Sequence, residues 1–150
     1  MKNFTQWNRQ KQDIHENESI LYFGEREIWF CRLGANIGYE QDGKGSDFER
    51  PILIFKKFNN HVFWGIPLTS SQKTSKFYFE FSFKNKKSWA ILSQIRLLDK
   101  KDYQENLEIY QKKILLHSMK SLVYSIKKAI PLSFLKGSRR PRPFSKTTIP

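Results

Sequence analysis

Seven polar side chains fall where strands are expected to begin or end: Glu40, Gln41, Arg50, Thr69, Ser70, Ser71 and Gln94. Arg50 opens the apolar run RPILIFKKF, and Thr69 follows the run HVFWGIPL. Asn59-Asn60 lies between the two runs and reads as a hairpin turn. In an antiparallel hairpin the start of one strand lies beside the end of the other, so Arg50 and Thr69 are expected to be close. An arginine and a hydroxyl converging there could hold a phosphate, because a guanidinium makes paired, charge-assisted bonds to its oxygens. The residue pattern equally allows an ordinary strand-edge ion pair between Arg50 and Glu49 or Glu40.

Other chemistries find less support. Gly38-Tyr39-Glu40-Gln41-Asp42-Gly43-Lys44 has the spacing of a phosphate-binding P-loop, but Gly45 stands where Ser or Thr is needed and a strand follows instead of a helix. This segment reads as a mobile glycine loop between strands. His15, His61 and His117 are far apart in sequence, and no metal-ligand spacing is present, so neither a metal nor another cofactor is expected. Cys31 is the one cysteine, which excludes an internal disulfide and suits a reducing compartment. It lies in an apolar strand pattern and reads as a packed thiol.

The elements that must position these residues divide the 150-residue chain into parts. Phe4, Trp7, Lys11 and Ile14 form one helical stripe in an N-terminal extension, residues 1–20, with Phe4 and Trp7 expected to pack on the body. A domain over 21–130 follows. In it REIWFCRL, RPILIFKKF, HVFWGIPL, KFYFEFSF and KSWAILSQIRLL read as strands. Phe77, Phe79, Phe81 and Phe83 alternate with polar or smaller partners, the pattern of a strand with one buried face. Several short strands at close spacing predict a small barrel. A helix is expected from Asp102 to Ile130, with Asp102 and Glu105 as a capping box and Leu107, Tyr110, Ile114, Leu115, Met119, Leu122, Val123 and Ile126 as its apolar stripe. Pro131 stops it. Residues 131–150, rich in Pro, Ser and Arg, read as a disordered basic tail.

The net charge is +13, and its distribution points to an anionic partner. Residues 21–101 carry 14 basic and 8 acidic side chains, so the body is basic without the tail. Nucleic acid or an acidic protein fits this balance, and either attraction weakens with salt. No run of 18 apolar residues occurs and the polar N-terminus lacks the apolar segment of a signal peptide, so a cytoplasmic protein without membrane contact is expected.

Over residues 24 to 105, an ordered set of motifs resembles the MazF/PemK family of toxin ribonucleases from type II toxin–antitoxin systems. These are the Glu-Ile-Trp strand, Gly38-Tyr39-Glu40-Gln41, Arg50-Pro51-Ile52-Leu53-Ile54, Pro67-Leu68-Thr69-Ser70 and Leu92-Ser93-Gln94-Ile95-Arg96 running on to Asp99. The resemblance implies a mainly β fold with helices, an SH3-like small barrel with a C-terminal helix, assembled as a homodimer. It implies metal-independent cleavage of single-stranded RNA, mRNA in particular, by 2′-OH attack on the adjacent phosphate. Carried over, Arg50 stabilises the phosphorane and Thr69 bonds the scissile phosphate, while Glu40, Gln41, Ser70 and Gln94 help shape the substrate site; loop anchoring and strand-edge hydrogen bonding are equally open roles for Glu40, Gln41 and Gln94. The glycine loop is then expected to cover RNA or to yield to an acidic antitoxin. The inserted Gly43-to-Glu49 segment departs from shorter members, so the cleavage sequence does not carry over.

Two other classes are weighed beside this one. The same barrel serves toxins that bind DNA gyrase and cleave nothing; the presence of both Arg50 and Thr69 argues for the nuclease. A plain RNA-binding module would use Trp64, Phe77 and Tyr78 as stacking surfaces, but these aromatics are expected in the core or in a dimer interface.

Overall fold

The computed structural model describes residues 1–16, 22–83, 86–102 and 116–129. Helix α1 (Phe4–Glu16) is followed by β1 (Ile28–Arg32), β2 (Glu49–Lys57), β3 (Val62–Thr69), β4 (Tyr78–Phe83), β5 (Lys86–Ile91) and β6 (Arg96–Asp99), then by α2 (Leu116–Ala129). The strands form one antiparallel sheet in the order β1-β2-β3-β5-β4, with β6 also on β3. Mainly β with helices is therefore the architecture. Among the described residues no ladder joins β1 to β4, so the expected barrel is here an open sheet.

β2 and β3 form the hairpin expected around Asn59-Asn60, and the Asn59 side chain accepts from the backbone N–H groups of His61 and Val62 at 2.7 and 2.9 Å. Successive β-strand side chains point to opposite faces, and here both faces are covered. Leu53, Ile28, Ile66, Leu68, Phe81 and Leu92 pack with Met119 and Leu122 of α2 in one cluster. Ile52, Ile54, Trp29, Cys31, Phe63 and Leu98 form the other. That is why the middle of β2 is buried without interruption. Gly65 makes room within the second cluster: a Cβ there would lie 2.6 Å from Ile52 Cγ2 and 2.7 Å from Leu98 Cδ1.

The run KSWAILSQIRLL is not the single strand expected from its pattern. It follows one edge of β3 as β5, a 3-10 turn at Leu92–Gln94, and β6. Leu68 pairs with Ala90; Gly65, three residues earlier, pairs with Arg96, six residues later. The turn absorbs the three extra residues, turning Leu92 into the core and leaving Gln94 half-buried.

Further expectations change. Phe4 is half exposed, whereas Trp7 does pack, its ring centroid 5.6 Å from that of Phe48. Asp102 sits in a 3-10 turn and its carboxylate accepts from the N–H of Asp99 at 3.1 Å; Glu105 lies outside the described residues, as do Leu107, Tyr110, Ile114, Leu115 and the 131–150 tail. In α2, Met119 and Leu122 are buried and Ile126 packs against the same cluster, but Val123 faces out. Among the phenylalanines, Phe81 is buried and Phe79 packs on the core, whereas Phe77 is exposed, as is Trp64. Those two aromatics are not core residues. No helix among the described residues is long and apolar enough to cross a membrane.

Candidate active site

Arg50 is the one charged side chain buried in the described structure, at 6% exposure. Its place follows from β2. Cys31 of β1 is its ladder partner, and the β2–β3 register, with Ile52 opposite Pro67, runs Arg50 toward Thr69. A buried guanidinium needs acceptors, and Arg50 has two carbonyls. Its Nε donates to Asp42 O at 2.7 Å and its NH1 to Leu68 O at 3.1 Å. These bonds use two of the five N–H donors of the fork. The others make no hydrogen bond among the described residues. The ion pair to Glu49 or Glu40 allowed by the residue pattern is not formed. Burial pulls the proton affinity of Arg50 below its ordinary value, and the nearby Asp42 carboxylate pulls it back up; the group stays charged at neutral pH.

Arg50 lines a cavity of about 400 Å³ together with Thr69, Ser70, Lys44, Lys86 and Ser88. The expected convergence of Arg50 and Thr69 is therefore met in space. Thr69 Oγ1 accepts the N–H of Ser71 at 3.2 Å, a local turn that fixes the hydroxyl beside the cavity. Arg50, Lys44 and Lys86 give the cavity an excess of positive charge over Glu49, whose carboxyl burial raises above its ordinary range.

Gln41 and Gln94 meet each other rather than the cavity. The Gln94 carboxamide accepts from Gln41 N at 3.2 Å and donates to Tyr39 O at 3.2 Å. It thereby ties the 39–41 turn to the 3-10 turn, one residue from the carbonyl that Arg50 holds. Glu40 is exposed on that turn and does not line the cavity.

The loop between β1 and β2 is not the free segment its glycines predict. Gly43 N donates to Gly34 O at 2.9 Å, and Lys44 and Glu49 exchange both backbone bonds at 2.7 and 2.9 Å. Phe48, with φ of +53°, is buried. A Cβ on Gly43 would lie 1.6 Å from Phe48 O, so this glycine serves a close backbone approach. Residues missed in the sequence reading hold this loop: Asp42, Asn36 and, from the N-terminus, Lys2. Their polar types gave a weak signal, because their partners are distant in sequence.

A model of the PemK-like, MazF-like toxins of type II toxin–antitoxin systems matches residues 25–125. A search of curated proteins finds no match. A solved structure that matches is an endoribonuclease in complex with its cognate antitoxin from Mycobacterial species, at 14% identity and a TM-score of 0.53, covering 74% of this chain and 97% of that one. At that identity the likeness concerns the fold. The family match spans the sheet, the Arg50 cavity and most of α2, and the chain belongs to the PemK-like, MazF-like toxin family of type II toxin–antitoxin systems.

Proposed function

We propose that this toxin is a metal-independent endoribonuclease that cleaves single-stranded RNA by attack of a ribose 2′-OH on the adjacent phosphate. The observation that carries the reading is Arg50: a buried guanidinium, fixed by two carbonyls, with N–H donors to spare in a basic cavity shared with Thr69. As the 2′-oxygen adds, negative charge grows on the non-bridging oxygens of the phosphorane. Fixed donors aimed at developing charge lower such a barrier without reorganising. Arg50 takes that role and stays protonated; as the P–O5′ bond breaks, the 2′-OH proton passes to solvent and the departing 5′-oxygen takes its proton from solvent, so the step is proton-neutral. Thr69 bonds the phosphate and Ser70 extends the same rim. Gln41 and Gln94 shape the wall that presents Asp42 O to Arg50. Glu40, exposed on the adjoining turn, is assigned to RNA contact and not to phosphate chemistry. The products are a 2′,3′-cyclic phosphate and a 5′-OH.

The working unit in this reading is a homodimer of the 21–130 domain in a barrel-like arrangement, acting in the cytoplasm. An acidic antitoxin would lie over the basic cavity and compete with RNA. The mycobacterial structure, an endoribonuclease with its cognate antitoxin, supports such a partner. The charge of the body supports its sign.

The deciding experiment uses purified protein, EDTA and an RNA with one deoxyribose at a mapped cut site. Cleavage of the all-ribose strand, silence at the substituted position and a 5′-OH product are expected. Cleavage at the deoxyribose position, or a 5′-phosphate end, overturns the chemistry.

A further inference from the structure

We propose that the N-terminal segment, residues 1–16, is a positioning element for Arg50, acting through Asp42. The inference rests on the nuclease reading for its consequence in catalysis but not for its geometry. Asp42 is attached at two ends. Its backbone carbonyl accepts from Arg50 Nε at 2.7 Å. Its carboxylate accepts from Asn36 N at 2.6 Å and pairs with Lys2 Nζ at 2.9 Å. Lys2 Nζ also donates to Asn36 O at 2.6 Å and Gly38 O at 3.0 Å. All three donors of the ammonium thus go to a single turn of the β1–β2 loop.

α1 holds the rest of the same loop. Asn3 caps the helix by accepting Gln6 N at 3.0 Å, which orients the first turn. Gln6 and Gln10, one turn apart on the same face, both donate to Ser46 O, at 3.1 and 3.0 Å. Trp7 lies between the two ends of the loop. Its ring packs on Phe48 and occupies the space a Cβ on Gly34 would need, 2.0 Å from Trp7 Cε2. Gly34 has φ of +78° and Phe48 +53°, two left-handed positions that the indole braces together.

The consequence follows from what Arg50 requires. Its strand fixes Cα and Cβ, but the long side chain has several rotamers, and the Nε bond to Asp42 O selects one. That carbonyl belongs to a loop with no ladder partner of its own beyond Lys44 and Glu49. Lys2 and Trp7 therefore determine whether the guanidinium meets a preorganised acceptor or a mobile one. A misplacement of about 1 Å at a catalytic donor costs on the order of 10²-fold in rate, so a looser acceptor is expected to cost about tenfold.

The test pairs two readouts on Lys2→Met and on Trp7→Ala, with Trp7→Phe as the conservative rescue. The first is solvent exchange of the Arg50 side-chain Nε–H by NMR, assigned with Arg50→Lys. The second is kcat against KM for RNA cleavage. The expected result is faster Nε–H exchange in Lys2→Met and Trp7→Ala, by about tenfold, with kcat lowered about tenfold and KM within about twofold of wild type. Trp7→Phe, which keeps a ring on Phe48, restores most of both. Unchanged Nε–H exchange in Lys2→Met overturns the inference, and so does faster exchange with an unchanged kcat. If the wild-type protein cleaves no RNA, the nuclease reading fails by itself, and the Nε–H measurement still decides the positioning claim. Thermal melting of each variant separates these outcomes from loss of the fold.

Discussion

Two loops border the Arg50 cavity, and they are built in opposite ways. The 34–48 loop is bonded along its length: to itself at Gly34–Gly43, to the start of β2 at Lys44–Glu49, to Gln94, and to the N-terminal segment through Lys2, Gln6 and Gln10. Residues 70–76, on the Thr69 side, are exposed throughout, and their hydrogen bonds are local turns, such as Ser71 N to Thr69 Oγ1 and Tyr78 N to Ser75 O; the next residue, Phe77, is already tied to the sheet through Leu92 N. Both stretches are rich in small polar residues, and composition alone marks both as loops. The difference lies in what each has to hold. One presents a carbonyl to a buried guanidinium and must not move. The other leaves an open, exposed rim. Under the proposed nuclease reading, one fixed wall and one open wall suit a single-stranded substrate better than a small enclosed one.

Breaking the fixed wall at its charged centre should have the largest effect. Arg50→Ala is expected to lower RNA cleavage by ~10²-fold or more, the scale of losing one transition-state donor. Arg50→Lys, which keeps the charge but not the fork, should recover only part of it. Far-UV circular dichroism checks that the sheet remains, and wild-type cleavage by Arg50→Ala would remove the site assignment. Next comes Gly43→Ala, where the new Cβ collides with Phe48 O. A loss of roughly 2–3 kcal/mol in urea unfolding is expected for such a backbone clash. Gly45→Ala, in open space at φ of +70°, should cost only about 1 kcal/mol for its left-handed backbone. Equal costs at the two glycines would show that the loop is not pinned at Gly43.

On the open side the effects should be smaller. Thr69→Ala is expected to slow cleavage about tenfold, the loss of a single hydrogen bond from an uncharged hydroxyl to the anionic phosphate, while Thr69→Ser keeps most of the rate. Smallest of all, two glycines inserted between Gln72 and Lys73 should change stability by under about 0.6 kcal/mol, because loop-closure entropy grows slowly with length. A larger loss would mean that this stretch carries contacts of its own and that the contrast between the walls is wrong.

The proximity of Arg50 to Thr69 was legible because it depends on one hairpin: two apolar runs, an Asn-Asn turn and antiparallel geometry suffice. The strands themselves were legible for the same reason, from apolar and aromatic runs broken by turn residues. What escaped the sequence depends on contacts between distant segments. Lys2 reads as an ordinary solvated lysine until the fold brings it to Asp42, 40 positions away. Gln94 was visible as a motif residue, but its bonds to Tyr39 and Gln41 were not. The glycine loop misled for a physical reason. Glycine signals either freedom or close approach, and at Gly34 and Gly43 it is close approach, to an indole and to a carbonyl. The break at Leu92–Gln94 was hidden because apolar residues stand on both sides of it, Trp89–Ile91 before and Leu97–Leu98 after, and such a pattern does not mark a register slip.

The double use of β3 bears on how the chain acquires this structure. β2–β3 and β4–β5 are each local hairpins, and each can form early from neighbouring residues. Neither completes β3, whose second edge waits for β5 at Leu68–Thr69 and for β6 at Val62–Gly65. The late step is therefore the docking of the 86–99 segment along one strand, a non-local closure that also seats Leu92 and Leu98 in the two opposite cores. Once docked, β3 amides have no small opening available to them. Their exchange with solvent should report global unfolding, while the edge strand β4 opens at lower cost. The strand that ends at Thr69 is then the last part of the sheet to let go.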